Sequence, residues 1–271
     1  FNLGTMLKQI DQEKVNFTVL APTLLNRFVK EKDLLEGIDL SSMRSIGVGS
    51  APPDAWMIRA FRDDLGIDIT NFFGTNEGVS LTSGATDLPD PDLRARFFPR
   101  VGRTEVTWQN TAMNWAKSRL VDPETREEII EAGIPGELEI SGPAIFPGYF
   151  RNGEILRHAF TDDGYYRSGD SFELAEVDGK PLYYRFVGRL REIIIRGGMN
   201  ISPVELDSVL SEHPDLIDAA VAPYPDPDLG ERVCMFVVPK PGVSITMPEL
   251  LDFIRDRGLA RFKWPEKLIH L

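Results

Sequence analysis

Asp170 closes the run Tyr166-Arg167-Ser168-Gly169-Asp170, and Arg189 stands near the head of Gly188-Arg189-Leu190-Arg191-Glu192-Ile193-Ile194-Ile195-Arg196-Gly197-Gly198-Met199-Asn200-Ile201-Ser202-Pro203-Val204-Glu205. A carboxylate on a turn after a strand can accept from both hydroxyls of a ribose. A planar, permanently charged guanidinium suits ribose oxygens or phosphate, and Arg189 follows Asp170 across an expected hairpin. Taken singly, each residue has a plainer use: a Ser-Gly-Asp turn ordinarily caps something, and an isolated strand arginine is ordinarily solvated. Arg185, Arg189, Arg191 and Arg196 nevertheless concentrate positive charge in an acidic chain, which favours an anion nearby, although strand alternation also sends some of them to solvent.

Upstream, Asn71-Phe72-Phe73-Gly74-Thr75-Asn76-Glu77-Gly78 offers a complementary set. An aromatic at a strand end followed by glycine can pack against a purine, while Thr75 and Asn76 can reach phosphate oxygens. Glu77 would give a hard oxygen ligand to a Mg²⁺ ion that balances polyphosphate charge. For this block alone, a polar loop capping a helix is the simpler account. Gly47-Val48-Gly49-Ser50-Ala51-Pro52 falls between an expected strand and helix, where small residues permit close approach. As a phosphate loop it is weak, lacking the third glycine of G-x-G-x-x-G and the lysine of a P-loop. Other chemistries find little support: His158, His213 and His270 share no metal-ligand spacing, and no G-x-S-x-G elbow occurs. Trp108 and Trp115 could line a pocket, but buried aromatics more often belong to a core.

The elements that must carry these residues divide the chain in three. Over residues 1–84, strand-like runs at Val15 to Leu20 and Ser45 to Val48 alternate with helical spacing at Thr23 to Leu35 and Pro53 to Leu65. Such alternation implies βαβ units in a layered α/β domain, with ligands at the carboxyl ends of the strands. Over residues 85–190 the pattern turns to short strands and many turns, as in a β-rich subdomain or distorted barrel. Asp87-Leu88-Pro89-Asp90-Pro91-Asp92 is loop chemistry, Gly136 to Gly142 alternates like a half-buried strand, and Asp178-Gly179 centres a hairpin turn. Residues 191–271 read as a small α+β domain. Its expected strands are Ile193 to Ile195, Leu216 to Val221 and Val233 to Val238; its helices are Pro248 to Arg257 and Pro203 to Leu210, the latter with a Ser202/Glu205 capping box.

The chain of 271 residues is long enough for about two domains. Its net charge of -12 disfavours nucleic acid and anionic membrane as partners. Cys234 is the single cysteine, so no intrachain disulfide exists, and its apolar neighbours suit a buried strand thiol. No apolar run reaches membrane-spanning length. The sequence opens at Phe1 without Met or a signal core, and Gly4 to Ile10 already reads as part of an element, so a piece of a longer protein is expected.

In this order the blocks resemble the nucleotide-site motifs of the adenylate-forming enzymes: acyl-CoA synthetases, luciferases and peptide-synthetase adenylation domains. Tyr166 to Asp170 is similar to the family's Tyr-Arg-Thr-Gly-Asp with Ser168 for Thr, and Phe73 to Glu77 to its Tyr-Gly-x-Thr-Glu with Phe73 for Tyr and Asn76 for Thr. Gly49, Ser50, Ala51 and Pro52 match its glycine-rich stretch ending in Ala-Pro, while Gly136 to Gly142 with Gly148-Tyr149 resembles a block that the resemblance gives no chemical role. The resemblance implies that Gly49 to Pro52, Asn71, Phe72, Phe73, Gly74, Thr75 and Asn76 bind nucleotide. It further implies that Asp170 and Arg189 hold the ribose, that Glu77 carries Mg²⁺, and that Glu77, Asn76 and Arg189 form the catalytic set.

It implies an ATP-dependent carboxylic acid–CoA ligase, which adenylates the acid with release of pyrophosphate and then forms a thioester. ATP, Mg²⁺ and CoA would be the cofactors, with a cytoplasmic location and a place in fatty acid metabolism. Fatty, aromatic and alicyclic acids all remain open, and so does a homo-oligomer. The small C-terminal domain would be mobile, turning at Arg191, where the family usually has Asp or Lys. The pair Gly197-Gly198, which could equally be a simple turn, would approach the pantetheine. Asn200-Ile201-Ser202-Pro203-Val204-Glu205 resembles the acyl-CoA synthetase form of its motif. The family's upstream phosphate loop and its C-terminal Gly-Lys are not in the sequence, and Lys263 is not that lysine, so weak or no adenylation is expected of this chain alone. The alternatives are an adenylation domain serving a carrier-protein thiol and a non-catalytic fragment that binds nucleotide or a partner.

Overall fold

A computed structural model describes residues 2–102, 106–110 and 114–271. The chain is a mixed α/β protein that divides into two compact units, Phe1–Ser168 with Phe172–Phe186, and Gly169–Ser171 with Val187–Leu271.

The first unit begins with α1 (Leu3–Glu13), β1 (Phe17–Leu20), α2 (Pro22–Lys30), β2 (Ser45–Val48), α3 (Ala55–Leu65), β3 (Asp68–Gly74) and β4 (Ser80–Ser83). The Asn2 side chain caps α1 by accepting from the Thr5 N–H at 2.9 Å, and Gly66 ends α3 in the left-handed conformation that glycine takes without strain. β1, β2 and β3 pair in parallel and β4 returns antiparallel, giving the order β1-β2-β3-β4. Alternation puts Ile46, Val48 and Ile69 on one face of this sheet, in one core with Leu7, Leu25, Phe28, Met57 and Phe61 of the helices. The helix expected over Thr23 to Leu35 breaks at Glu31: α2 ends at Lys30 and a short 3-10 turn spans Lys32–Leu35.

Next come α4 (Pro91–Arg96), β5 (Phe97–Pro99), β6 (Lys117–Val121), β7 (Glu128–Ile129), β8 (Pro135–Ser141), β9 (Tyr149–Arg151), β10 (Glu154–Leu156), β11 (Tyr166–Val177) and β12 (Lys180–Arg189). Six of these strands form a sheet in the order β5-β12-β11-β8-β6-β7, and β9 and β10 make a separate hairpin. Asp178 and Gly179 both have positive φ, 53° and 72°, as a two-residue hairpin turn between β11 and β12 requires. The loop expected over Asp87 to Asp92 ends sooner than that. Asp90 accepts from the Asp92 N–H at 2.8 Å and Pro91 starts α4, a helix too short to show a period. β8 is not half-buried as its alternation predicts, because Glu137 and Glu139 are buried along with Leu138 and Ile140. The burial is tolerated because arginines come with it: Arg126 bonds both glutamates, and Arg119 bonds Glu139 at 2.7 Å.

Arg94 is 1% exposed, the largest fully buried side chain among the described residues. Its guanidinium donates to the carbonyls of Leu88, Pro89 and Ile69 at 2.9, 2.9 and 3.1 Å, with Asp68 at 3.4 Å. It therefore ties α4 and the loop before it to β3, the strand that ends in Gly74.

The second unit contains β13 (Ile194–Arg196), β14 (Met199–Ile201), α5 (Pro203–Ser211), β15 (Leu216–Asp226), β16 (Gly230–Pro239), α6 (Met247–Asp256) and β17 (Lys267–His270). Its sheet runs β14-β13-β16-β15, with β17 parallel to β16. Leu206, Leu210, Val233, Met235, Val237, Leu250 and Ile254 fill its core, and Cys234 is buried in β16 as expected. The capping box expected at α5 forms only in part. The Ser202 hydroxyl accepts from the Glu205 N–H at 3.3 Å, but the Glu205 carboxylate instead takes Lys263 Nζ at 2.6 and 2.8 Å. Glu249 bonds the Thr246 N–H at 2.7 Å at the start of α6.

Asp207 on α5 accepts from the Val221 N–H at 2.7 Å, yet burial, with Asp218 nearby, pushes its carboxyl up to about 7. A carboxyl whose folded-state pKa exceeds its unfolded value holds its proton after the unfolded chain has lost it. Its contribution is therefore full below the unfolded value and is lost as pH rises through about 7. Urea midpoints of the protein should fall between pH 5 and pH 8, and Asp207→Asn, which keeps an acceptor for Val221, should flatten that fall. Equal slopes in the two proteins would remove Asp207 as its source.

Candidate active site

In the first unit the candidate residues cluster around the carboxyl ends of β2 and β3, as parallel strands dictate. After β3 the chain makes a tight turn, with the Thr75 N–H bonded to Val79 O at 3.0 Å and the Gly78 N–H to Thr75 O at 3.1 Å. Asn76 is exposed on this turn and Glu77 is half-buried beside it. Burial would raise the Glu77 carboxyl, but hydrogen bonds from the backbone and from Tyr149, with the Thr75 hydroxyl nearby, outweigh it and hold it below the usual carboxylate range. The Tyr149 hydroxyl donates to Glu77 Oε1 at 2.9 Å. The segment before β9 is drawn in as well: the Phe146 N–H donates to Glu77 O at 2.9 Å. Gly78, at φ 100°, lies so close to it that a Cβ would stand 2.0 Å from Ala144 O.

Phe72 and Phe73 point to opposite faces of β3. The Phe72 ring lies over Gly47, where a Cβ would sit 2.4 Å from Phe72 Cε2, and Gly49 passes close to Phe72 O. Phe73 packs edge-on against Phe172 at 4.9 Å and beside Phe186 at 5.3 Å, which ties its ring to the aromatic core of this unit. Asn71 is 2% exposed and its amide donates to the carbonyls of Arg94 and Ala95, so its side chain is committed to the fold. Ser50 has φ 76°, a conformation uncommon for a residue with a side chain, and with Ala51 and Pro52 it is exposed at the end of β2. Trp108 is buried, with its indole N–H on Arg100 O, while Trp115 is exposed.

In the second unit Gly169 takes φ 72°, which kinks β11 just before Asp170. The Leu190 N–H donates to Gly169 O at 3.0 Å, and this brings the start of the Asp170 segment beside the end of β12. Asp170 is 6% exposed; Arg189 Nε stands 3.9 Å from its Oδ1, while the Arg189 side chain remains 69% exposed. Arg191 is exposed in the turn after β12. Gly197 and Gly198, at φ 56° and 79°, form the two-residue turn of the β13–β14 hairpin; a Cβ on Gly198 would meet nothing, while one on Gly197 would touch Leu229.

The sequence therefore led to Asp170 with Arg189 and to Glu77, but it gave no chemical part to Tyr149. Gly148-Tyr149 was visible as a block, yet nothing in its spacing shows a phenol reaching Glu77 across the fold. No group of three His, Cys, Asp or Glu among the described residues could hold a metal unaided. Glu77 fits a Mg²⁺ ion that keeps most of its oxygens from water and phosphate: it is an ionised oxygen donor with no Lys or Arg paired to it among the described residues.

Residues 1–150 match the model of the AMP-binding enzyme family, and residues 205–271 that of the AMP-binding enzyme C-terminal domain. The chain is 32% identical to 4-coumarate–CoA ligase-like 9 of Arabidopsis thaliana, over 94% of this chain and 42% of that protein. It is also 32% identical to the 2,3-dihydroxybenzoate-AMP ligase of Bacillus subtilis, over 96% of this chain and 44% of that protein. Among solved structures, the amide bond synthetase McbA from Marinactinospora thermotolerans matches with a TM-score of 0.82 at 26% identity, over 100% of this chain and 51% of that one. ATP-bound MatB from Rhodopseudomonas palustris matches with a TM-score of 0.78 at 27% identity, over 100% of this chain and 49% of that one. The chain thus spans about half the length of these relatives.

The backbone approach at Gly78 gives a test of the geometry around Glu77. Gly78→Ala adds a Cβ onto backbone at a positive φ, and such overpacking costs about 1–3 kcal/mol, or several degrees in melting temperature. Gly84→Ala, whose Cβ would meet nothing nearer than 3.8 Å, should melt with the parent protein. A Gly78→Ala protein as stable as Gly84→Ala would mean that the 142–148 segment does not lie against this turn.

Proposed function

The chain belongs to the AMP-binding enzymes, and from that premise we propose that it serves in joining a carboxylic acid to a thiol, with ATP as the activating substrate. In the first half-reaction a carboxylate oxygen of the acid attacks the α-phosphorus of ATP, the bond to the bridging oxygen breaks, and pyrophosphate leaves. In the second, a thiol sulfur attacks the acyl carbon, the acyl–oxygen bond breaks, AMP leaves, and the thiol proton is lost. Neither step needs a nucleophilic side chain, so the residues act by positioning and by placing charge.

The pair Asp170 and Arg189 carries this reading. A carboxylate almost entirely withdrawn from solvent, beside an exposed guanidinium at 3.9 Å, presents an acceptor and a donor array at a distance too long for their own hydrogen bond. We assign the ribose hydroxyls to Asp170 and the ribose or phosphate oxygens to Arg189. Gly49, Ser50, Ala51 and Pro52, with Phe72, Phe73 and Gly74, are assigned to the base. Gly49 and Gly74 supply close backbone approach, while Thr75 and Asn76 are assigned to phosphate oxygens. Phe73, half-buried with its ring packed on Phe172 and Phe186, offers the base only the part of that ring left to solvent. The buried amide of Asn71 supports the strand rather than the ligand. When bound, Mg²⁺ supplies charge neutralisation on the polyphosphate, and Glu77 would hold it.

For the second half-reaction we assign the turn at Arg191 as the hinge and the open surface of Gly198, with Gly197, to the approach of the thiol. CoA is the favoured thiol because Asn200 to Glu205 has the acyl-CoA synthetase form, and a cytoplasmic location supplies both ATP and CoA. A carrier-protein thiol is the second reading, kept because the equal identity to the 2,3-dihydroxybenzoate-AMP ligase, a name that gives adenylation alone, does not single out CoA. The acid is left to experiment.

ATP–pyrophosphate exchange by the full-length protein, across a panel of fatty, aromatic and alicyclic acids, tests the first half-reaction. At least one acid should support exchange, and silence across the panel sinks the ligase reading. Asp170→Ala removes hydrogen bonds to a charged group worth about 1.5–3 kcal/mol, so ATP affinity should fall about tenfold or more. Unchanged ATP affinity would take Asp170 out of the site. Thioester formation with free CoA, set against a pantetheinylated carrier protein, decides the thiol.

A further inference from the structure

We propose that Tyr149 is a positioning residue for Glu77: its hydroxyl fixes the plane of the carboxylate to which the divalent cation of the nucleotide is assigned. The inference rests on the function proposed above and adds a residue that the motifs left without a chemical part.

Four contacts hold the phenol in place. Its oxygen donates to Glu77 Oε1 at 2.9 Å. Its ring stacks on His158, with centroids 5.5 Å apart and planes 20° apart, and meets Phe146 edge-on at 4.8 Å. The Tyr166 hydroxyl lies 3.5 Å from its own. Phe146 closes the frame, because its ring packs on Tyr149 while its N–H donates to the carbonyl of Glu77, so backbone and side chain of Glu77 are both bound by one segment. That segment can come so near only because residue 78 is glycine.

A glutamate has three side-chain torsions to fix before it can hold an ion, and each ordered rotor opposes binding unless the fold has fixed it beforehand. A lysine or arginine would also fix it, but would neutralise the charge and compete with the cation. A phenol orients the carboxylate and leaves its charge in place. The hydroxyl is thus the part of Tyr149 that matters for the ion, and the ring is the part that matters for the fold.

The test is binding of a fluorescent ATP analogue to the full-length protein, with Mg²⁺ and then with EDTA, for the parent, Tyr149→Phe, Glu77→Gln and the double variant. Tyr149→Phe keeps the ring, and its melting temperature reports whether the fold is kept. Loss of one charge-assisted hydrogen bond should weaken Mg²⁺-dependent binding about fivefold, with no change in EDTA. The double variant should bind like Glu77→Gln, since two groups acting as one unit are not additive. If Tyr149→Phe weakens binding equally in EDTA, or adds its full effect to Glu77→Gln, its role is structural and the proposal fails. If Glu77→Gln weakens Mg²⁺-dependent binding and Tyr149→Phe does not, the positioning role alone falls. If Glu77→Gln changes nothing, the assignment of Glu77 falls and takes the positioning role with it.

Discussion

The guanidinium of Arg94 is the constraint on which the first unit is built. A cation withdrawn from water without partners costs several kcal/mol, so the chain around it has to deliver acceptors. It does so with the carbonyls of Leu88, Pro89 and Ile69, taken from a loop and from β3. Asn71, two residues along β3, completes the junction from the other side by donating to the carbonyls of Arg94 and Ala95. Strand, loop and helix are locked together by hydrogen bonds to one buried side chain. The end of β3 therefore has a fixed origin, and everything from Phe72 to Glu77 is placed from it.

From that origin the pleat decides the rest. Phe72 and Phe73 must face opposite ways, one over the glycines of β2 and the other into the aromatic core. Glu77 then falls in a turn that is too polar to bury and too crowded to leave open. The chain from Phe146 to Tyr149 resolves this by supplying a phenol to the carboxylate and an N–H to the carbonyl. The site in this unit is thus a consequence of backbone satisfaction as much as of ligand chemistry.

The second unit reaches its pair by a different device. Asp170 is buried inside β11 and Arg189 is exposed at the end of β12, on the two strands of one hairpin. The kink at Gly169 changes the direction of β11 at the residue before the carboxylate, and only a glycine takes that φ without strain. Arg189 stays open to solvent, with the exposed Glu192 at 3.6 Å and Asp170 at 3.9 Å beside it, which leaves its guanidinium within reach of a ligand.

The sequence by itself determined the parts that depend on neighbours in the chain. Period marked β2, α3, β15, β16 and α6, Asp178-Gly179 marked its hairpin, and the motif blocks marked Asp170, Arg189 and Glu77 as candidates. Local pattern failed wherever a distant partner decides the outcome. Glu205 reads as half of a capping box until Lys263 competes for its carboxylate. The alternation of β8 reads as half-exposed until Arg119 and Arg126 arrive to bury its glutamates. Asn71 reads as a ligand residue until α4 takes its amide, and Tyr149 reads as framework until its hydroxyl is found on Glu77. β17 went unread because a four-residue strand is specified by the edge of β16 that it joins. Residue type and spacing set what each side chain can do. Which partner it meets depends on contacts dozens of residues apart in the chain, and only the tertiary structure decides those.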